Sequence, residues 1–138
     1  MFELTIPGNP IALQRPRFVN QHIWDKQKDI RSEKIATLQS IVLDLQPLKG
    51  PLGIVLEYYL PIPLYLSKRK KIDVLHCKRP DLDNYIKWTL DICSGILYYD
   101  DAQICYINAC KLYGSVPRTE IHLFSMDKIQ ENLQRAPK

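Results

Sequence analysis

The pattern of hydrophobic and polar positions along the chain predicts four strands. Residues 2–6, FELTI, alternate and are rich in β-forming residues, which predicts a first strand. Residues 53–60, GIVLEYYL, predict a strand that is buried on at least one face. Residues 102–112 and 119–126 predict two antiparallel strands joined through a glycine- and proline-containing turn at 114–117.

Hydrophobic positions at helical spacing predict two main helices. The first covers residues 25–45, although Ser32 could instead cap a shorter helix. Its apolar stripe consists of Ile35, Leu38, Ile41, Val42 and Leu45. The second covers residues 81–97, with a stripe made of Leu82, Tyr85, Ile86, Cys93 and Ile96. Three prolines up to Pro16 predict an irregular loop before the first helix, and the last twelve residues are only weakly helical.

This β-α-β-α-β-β order predicts an α+β fold, in which two main helices pack on a mixed, mostly antiparallel sheet. With 138 residues, 46% of them hydrophobic, and no linker or repeat, the chain is expected to form one domain over residues 1–138. No stretch has the length of a membrane span, so we expect no membrane partner and a cytoplasmic location. The four cysteines lack metal-ligand spacing and are expected to be reduced thiols that mostly pack as small apolar residues.

Charge is unevenly distributed along the chain. The formal net charge is +4, a mild excess that is compatible with a polyanionic partner. In residues 67–79, SKRKKIDVLHCKR, six residues are basic and only Asp73 is acidic. A cluster of this kind is commonly a solvated loop, but here it lies immediately before an acidic motif, which favours a binding surface.

That acidic motif starts with the sequence RPDLDN, in which Pro80 favours the start of a helix directly after it. Asp81 then stands at or near the N-cap, and Asp83 lies in the first turn. Each carboxylate, taken alone, can be explained as a helix cap or as a partner of the helix dipole. Taken together, two carboxylates at one helix entry can converge on a single point.

Three further acids extend the motif. Asp83, Lys87 and Asp91 follow one another at four-residue spacing and share a helix face away from the apolar stripe. An exposed ladder of ion pairs remains an alternative for these three. Asp100 and Asp101 come one turn after the helix. The chain could bring them back to the end of the sheet where Asp81 and Asp83 lie.

Clustered aspartates are costly unless a cation holds them, because each negative charge opposes ionisation of its neighbours. Hard oxygen ligands suit Mg²⁺ or Mn²⁺, which also bind phosphate oxygens. Such an ion can polarise a phosphodiester and activate water, while a lysine beside it stabilises developing negative charge. The pattern therefore predicts phosphodiester hydrolysis on a nucleic acid that is held by the basic residues.

The acidic motif and the segments around it resemble a known protein family. The stretch KRPDLDNYIKWTLD and the later GILYYDDAQI resemble the signature of the RusA Holliday junction resolvases, including phage and prophage members. The opening IPGNPIALQRPRF, together with Lys111 and the closing TEIHLF, is also similar to this family, so the resemblance covers nearly the whole chain.

The resemblance implies roles for four residues. The family's first two catalytic aspartates match Asp81 and Asp83, its essential lysine matches Lys87, and its third aspartate matches Asp101, with Asp100 as a supporting neighbour. The resemblance also implies a homodimer that cuts four-way DNA junctions by paired symmetric nicks with Mg²⁺ or Mn²⁺. Asp81, Asp83 and Asp101 are then the expected metal ligands.

Several basic residues are candidates for DNA contact, with a solvated or structural role as the alternative for each. They are Arg15, Arg17, Lys68, Arg69, Lys70, Lys71, His76, Lys78 and Arg79. Four aromatic residues could stack on unpaired bases or belong to the core: Trp24, Trp88, Tyr98 and Tyr99.

Three alternatives to a junction resolvase remain open. The same acids would serve a nonspecific or flap-type metal nuclease. If Asp81 and Asp83 only cap a helix, the chain is a catalytically silent DNA-binding module. A hydrolase of small phosphate esters is disfavoured, because a small substrate needs no extended cationic surface.

Overall fold

The computed structural model describes residues 1–69 and 74–136, and within them it contains a four-stranded sheet, a separate two-stranded ribbon and four α-helices. The strands are β1 (Phe2–Pro7), β2 (Arg17–Val19), β3 (His22–Trp24), β4 (Leu52–Pro61), β5 (Ile104–Gly114) and β6 (Arg118–Ser125). The helices are α1 (Lys28–Val42), α2 (Leu64–Ser67), α3 (Leu82–Cys93) and α4 (Asp127–Arg135), and a 3₁₀ turn covers Asp101–Gln103. The expected α+β fold with a mixed sheet is confirmed.

β4 lies in the interior of the sheet, whose strand order is β1-β6-β4-β5. Leu52, Ile54, Leu56, Tyr58 and Leu60 alternate along β4, and all five are buried on one face. That face packs against the buried residues of α1 and α3, so the core lies between the sheet and these two helices. The continuous apolar run that predicted a buried strand therefore belongs to the strand with neighbours on both sides.

The last two strands run antiparallel, as predicted, but they do not pair with each other. β6 pairs antiparallel with β1 and β4, whereas β5 pairs parallel with β4 and lies at the sheet edge. β4 therefore separates β5 from β6, although only a short turn joins them. The reason is burial: β4 has the most apolar sequence and takes the interior position, while β5 carries exposed side chains that suit an edge.

Both main helices are shorter than the sequence predicted. α1 begins at Lys28 because the Asp25 carboxylate accepts a hydrogen bond from the Gln27 N–H at 2.9 Å and closes a turn in front of the helix. Ser32 is not the cap, since its hydroxyl donates to the Lys28 carbonyl inside the helix at 3.1 Å. Ile41, expected on the buried stripe, is exposed.

α3 ends at Cys93, because Ser94 is extended and Gly95 adopts a left-handed φ of 82°. Ile96 therefore belongs to the turn after the helix. The sequence also missed α2 and the β2–β3 ribbon, which are too short for a periodic signal. The weakly helical C-terminal segment is confirmed as α4.

All four cysteines fall in the described part of the chain and carry free thiols, as expected. Only Cys93 is buried, and burial raises the pKa of its thiol to about 12. Cys77 and Cys105 are exposed, so their predicted role as packed apolar residues is wrong. None of the helices in residues 1–69 and 74–136 combines the length and hydropathy that a membrane span requires.

The interior position of β4 generates a stability prediction. Leu56→Ala leaves a cavity at a fully buried site, so we expect the free energy of unfolding to fall by about 2–5 kcal/mol. Leu64→Ala removes the same atoms from the exposed surface of α2 and should change the free energy of unfolding by less than about 0.5 kcal/mol. Urea denaturation of both variants measures the difference, and equal losses would contradict the assigned interior position.

Candidate active site

Asp81 occupies the N-cap position of α3 with an extended backbone, φ −70° and ψ 146°. Its carbonyl accepts from the Asn84 N–H at 3.2 Å, which closes the first turn. Within the described residues, its carboxylate accepts no capping hydrogen bond from the helix. Asp81 and Asp83 are both exposed, so these carboxylates face solvent. The geometry does not support the alternative that Asp81 serves only as a cap.

Lys87 lies one turn after Asp83 on the same exposed face, with its Nζ 3.9 Å from the Asp83 Oδ2. Both side chains are more than half exposed, and an exposed pair of this kind contributes little to stability. The ion-pair ladder that the sequence left open is therefore present in part. Because the pair is loose, both groups stay accessible to a ligand.

Asp100 and Asp101 differ in their surroundings. The Asp100 carboxylate accepts from the Ala102 N–H at 3.0 Å, and this bond holds the pKa of Asp100 below its usual value. A hydrogen bond with Asp100 raises the pKa of the exposed Asp101, and the negative charges of Asp100 and Asp91 raise it further. Asp100 therefore has a structural role in the 3₁₀ turn, while Asp101 presents its carboxyl to solvent.

Gln103 is a structural residue that the sequence reasoning missed. Its side-chain oxygen accepts from the N–H groups of Tyr99 and Asp100 at 2.9 and 3.0 Å. Its amide nitrogen donates to the carbonyls of Leu48 and Gly50, both at 3.0 Å. The side chain thus ties the acidic turn to the chain that leads into β4. The only signal in the sequence was its place three residues after Asp100, which is the spacing of a capping box.

α3 separates the two acidic ends of the candidate site. Asp91 comes ten residues after Asp81, which corresponds to ~15 Å along the helix axis. The Tyr98 hydroxyl donates to the Leu90 carbonyl at 2.8 Å, and this bond holds the turn that leads to Asp101 against the last part of α3. Asp101 therefore lies near the end of α3 that is opposite to Asp81.

The register of β5 supports this separation. Ile104, directly after the acidic turn, lies beside Leu52 at the start of β4, whereas Lys111 lies beside Tyr58 near its other end. Seven residues of strand correspond to ~23 Å. Since Lys111 contacts the Pro80 carbonyl, the entry of α3 lies at the far end of β5 from Asp101. The expectation that Asp100 and Asp101 return to the end of the sheet where Asp81 and Asp83 lie is therefore wrong within one chain.

A different group of side chains comes close enough to hold a cation. Metal ions are commonly bound by groups of three or more His, Cys, Asp or Glu side chains. In residues 1–69 and 74–136, one such group has its ligand atoms within 4.8 Å of one another, and it consists of Glu57, Glu120 and His122. Arg118 binds Glu120 at 2.8 Å, and Glu3 lies 3.2 Å from the His122 Nδ1. Alternation along β4 places Glu57 on the sheet face away from α3. This network is therefore separate from the aspartates.

Lys111 connects β5 to the segment that precedes Asp81. Its Nζ donates to the carbonyls of Lys78 and Pro80 at 2.7 and 2.8 Å. The Pro80 carbonyl belongs to the planar peptide unit that also contains the Asp81 nitrogen and Cα, so holding this oxygen orients Asp81. Lys111 is thus a positioning residue for the start of α3.

The segment around His76 also runs along β5. The His76 N–H donates to the Lys111 carbonyl at 3.0 Å, and the imidazole packs against the Tyr113 ring with centroids 4.9 Å apart. The His76 Nδ1 is buried and has no hydrogen-bond partner among the described residues. Burial lowers the pKa of His76, and the positive charge of Lys111 lowers it further. These contacts favour the structural alternative for His76 over contact with a phosphate.

The candidate DNA-contacting side chains are described unevenly. Those that the structure places on the surface are Arg15, Lys68, Arg69, Lys78 and Arg79. Lys78 donates to the Tyr65 hydroxyl and lies 5.0 Å from the centre of that ring. Lys70, Lys71 and the side chain of Arg17 lie outside the described part, so their assignment stays a prediction.

The loop that carries Arg15 is held against the start of α3. The Leu13 N–H donates to the Asn84 carbonyl at 2.9 Å. The buried Gln27 side chain accepts from the Gln14 N–H and donates to the Ala12 carbonyl, both at 2.8 Å. Gln27 is a second residue that the sequence reasoning missed, because a glutamine in a polar stretch gives no local signal. These bonds place a basic loop next to the first acidic pair.

The four aromatic candidates divide into two pairs. Trp88 and Tyr98 are 3% and 0% exposed and belong to the core, so the stacking alternative does not apply to them. Trp24 and Tyr99 are 56% and 55% exposed and remain accessible.

Comparison with known proteins agrees with the sequence motif. The model of a protein family described as endodeoxyribonuclease RusA matches residues 7–123. The uncharacterized protein YqaN of Bacillus subtilis strain 168 is 28% identical over 131 residues, which cover 86% of this chain and 92% of that protein. The family match includes Asp81, Asp83, Lys87 and Asp101.

The two bonds of Lys111 generate a prediction about local order. Lys111→Met removes both donors, so we expect exchange of the Asn84 amide, whose N–H donates to the Asp81 carbonyl, to accelerate about tenfold, as a loss of ~1.4 kcal/mol implies. Hydrogen–deuterium exchange measures this change. Lys34→Met is a matched control, because Lys34 also donates to a backbone carbonyl, that of Pro7. Unchanged exchange in Lys111→Met, or equal acceleration in the control, would contradict the positioning role.

Proposed function

The chain belongs to the RusA endodeoxyribonuclease family, and on this premise we propose that it resolves four-way DNA junctions by paired symmetric nicks with Mg²⁺ or Mn²⁺. The observation that carries the proposal is the family match over residues 7–123, which spans the complete acidic motif. Nucleases of this family generally depend on a divalent metal ion. The four free thiols are compatible with a reducing cytoplasm in a bacterial or phage-infected cell.

Each proposed site residue has a separate task. Asp81 and Asp83 present exposed carboxylates from one helix entry and would hold the ion. Asp101 lies at the opposite end of α3 in the same chain, so it would reach that ion only from the second copy of the proposed homodimer. When bound, the ion would supply Lewis-acid activation of the phosphodiester and of water. The Lys87 ammonium, exposed on the same helix face as Asp83, would stabilise negative charge that develops on the phosphate.

The basic residues around the helix entry would hold the DNA backbone. Lys78 and Arg79 come directly before the acidic motif, and the loop carrying Arg15 is bonded to the first turn of α3. Positive side chains here would offset the repulsion between phosphates and aspartates. Phosphate contacts position the DNA without reading its sequence.

The preference for a junction follows from symmetry and from the family. A four-way junction has approximate two-fold symmetry, and its resolution requires two related nicks. A homodimer with C2 symmetry presents two equivalent sites and meets this requirement. We therefore propose that the active species is a homodimer.

A cleavage assay on synthetic DNA tests the proposed function. We expect paired metal-dependent nicks on a four-way junction, with no cutting in EDTA or on a linear duplex of the same sequence. Asp81→Asn, Asp83→Asn and Asp101→Asn should each lower cutting by at least about a hundredfold, because each removes a charged ligand needed in the transition state. Their junction affinity should stay within about threefold, since phosphate-binding residues are unchanged.

The controls separate the alternatives. Asp44→Asn removes an exposed acid outside the motif and should cut like the wild type. Equal cutting of junction and duplex would identify a nonspecific nuclease. Cutting of a flap substrate but not of the junction would identify a flap nuclease. Binding without cutting in any metal would identify a silent DNA-binding module.

Salt dependence tests the basic segment. Replacing Lys68, Arg69, Lys70 and Lys71 by glutamine should weaken junction binding and reduce the slope of log K against log salt by ~0.9 for each lost phosphate contact. Titrations at several salt concentrations measure this slope. A control double variant on α4, Lys128→Gln with Arg135→Gln, removes two exposed positive charges elsewhere and should leave the slope unchanged. An unchanged slope in the four-residue variant would contradict phosphate contact by these residues and support the alternative of a solvated loop.

A further inference from the structure

The β2–β3 ribbon presents large apolar side chains to solvent. In the described residues, neither of its strands hydrogen-bonds to the four-stranded sheet. Phe18, Ile23 and Trp24 are 72%, 75% and 56% exposed, and none of the three belongs to the core. Apolar residues grouped on one small exposed element commonly mark a binding surface. The ribbon therefore offers its apolar surface to a ligand.

The register of the ribbon gives it two apolar faces. Phe18 lies directly opposite Ile23, so these two side chains form a cross-strand pair on one face. Alternation along β3 places Trp24 on the other face. The strands are joined by Asn20 and Gln21, whose φ angles of 50° and 63° are typical of a tight hairpin turn. The ribbon is thus a thin element with apolar side chains on both sides.

Both ends of the ribbon are attached close to the entry of α3. On the β2 side, the Leu13 N–H donates to the Asn84 carbonyl in the first turn of α3 at 2.9 Å. On the β3 side, Asp25 forms an ion pair with Arg31 on α1. The Arg31 guanidinium in turn lies 5.2 Å from the centre of the Trp88 ring on α3. These contacts fix the base of the ribbon relative to the helix that carries the first acidic pair.

The ribbon lies within a short distance of the proposed cutting site. Phe18 comes five residues after Leu13, so the Cα atoms of these two residues are at most ~18 Å apart. One DNA strand advances ~3.4 Å per nucleotide, so this distance corresponds to about five nucleotides. Because Leu13 is bonded to the first turn of α3, bases within a few nucleotides of the cut are accessible to the ribbon.

Positive charge surrounds the apolar side chains. In residues 15–28, four residues are basic and only Asp25, which is paired with Arg31, is acidic. Arg15 and Lys26 are exposed on either side of the ribbon, and the Lys26 Nζ lies 5.5 Å from the centre of the Trp24 ring. Aromatic side chains interleaved with cations suit a ligand that has planar apolar surfaces and negative charge. Nucleic acid with uncovered bases has both properties.

From these observations, and resting on the proposed function, we infer that the ribbon inserts at the exchange point of the four-way junction and stacks on bases there. Base pairs next to the exchange point lack one stacking neighbour, whereas an intact duplex keeps the faces of its bases covered. Phe18 and Ile23 contact bases on one side of the ribbon, and Trp24 contacts bases on the other. The ribbon therefore selects the junction, while the acidic motif performs the cutting.

Photo-crosslinking tests the contact between the ribbon and the bases. A junction with 5-iododeoxyuridine at the exchange point is bound to the wild-type protein in EDTA, where no cutting is expected, and is irradiated. We expect mass spectrometry to locate the crosslink on Phe18 or Trp24, because iodouracil reacts with an aromatic side chain that stacks against it. The same nucleotide in the middle of an arm should give at least about tenfold less product, since its faces are covered. Crosslinks confined to other residues would overturn the inference.

Variants of the ribbon give a second readout that does not depend on cutting. Trp24→Ala, and Phe18→Ser combined with Ile23→Ser, remove exposed side chains, so the fold should be retained. We expect each variant to weaken junction binding in EDTA about tenfold, because base stacking is lost, and to change duplex binding by less than about twofold. Val116→Ser with Leu133→Ser is the matched control, because these side chains are 62% and 69% exposed on other elements. It should bind both DNAs like the wild type.

A second copy of the chain is the alternative occupant of the ribbon. In that case, the ribbon variants would dissociate into monomers in sedimentation experiments and lose junction and duplex binding equally, and either result would overturn the base contact. Unchanged junction affinity in the ribbon variants would overturn it as well. A wild type that binds the junction but never cuts it would instead refute the proposed function, and the crosslink would still decide whether the ribbon contacts bases.

Discussion

The parallel pairing of β4 with β5 is the constraint on which the rest of the structure depends. Two parallel neighbours in one sheet require the chain to return across its full length between them, and α3 makes most of that return. The helix therefore begins at the end of the sheet where β4 finishes and ends where β5 starts. Asp81 and Asp101, which flank the helix, are placed at opposite ends by the same geometry. Their separation is a direct consequence of the crossover.

This separation has an electrostatic benefit for the free chain. Five acids lie on or next to α3, and bringing them together without a cation would cost free energy through mutual repulsion. Spread along the helix, they stay exposed, and Asp83 is partly compensated by Lys87. Only Asp100 and Asp101 are close enough to share a hydrogen bond, and there one pKa falls while the other rises. The chain can thus fold without bringing these carboxylates together.

The helix entry is held from two sides by long-range hydrogen bonds. Lys111 fixes the carbonyls before Asp81, and Gln27 fixes the loop that donates to Asn84. Both contacts join residues far apart in sequence to the same turn of α3. Without these bonds, the irregular segments that flank this turn could move, and the positions of the Asp81 and Asp83 carboxylates would vary. Rigid attachment to β5 and α1 keeps the acidic motif and the Arg15 loop in one place.

The sequence by itself determined the periodic elements and the identity of the acidic motif. Alternation in β4 and helical spacing in α3 are local properties, so the buried faces and the exposed acids could be read without a structure. Local spacing predicted two antiparallel strands after α3, but it does not specify which strands become neighbours, so it could not show that β4 lies between β5 and β6. The same limit misplaced Asp101, because its position depends on the direction of a crossover. The contacts of Gln27 and Lys111 were likewise decided only by tertiary structure, since their partners lie 13 to 33 residues away along the chain.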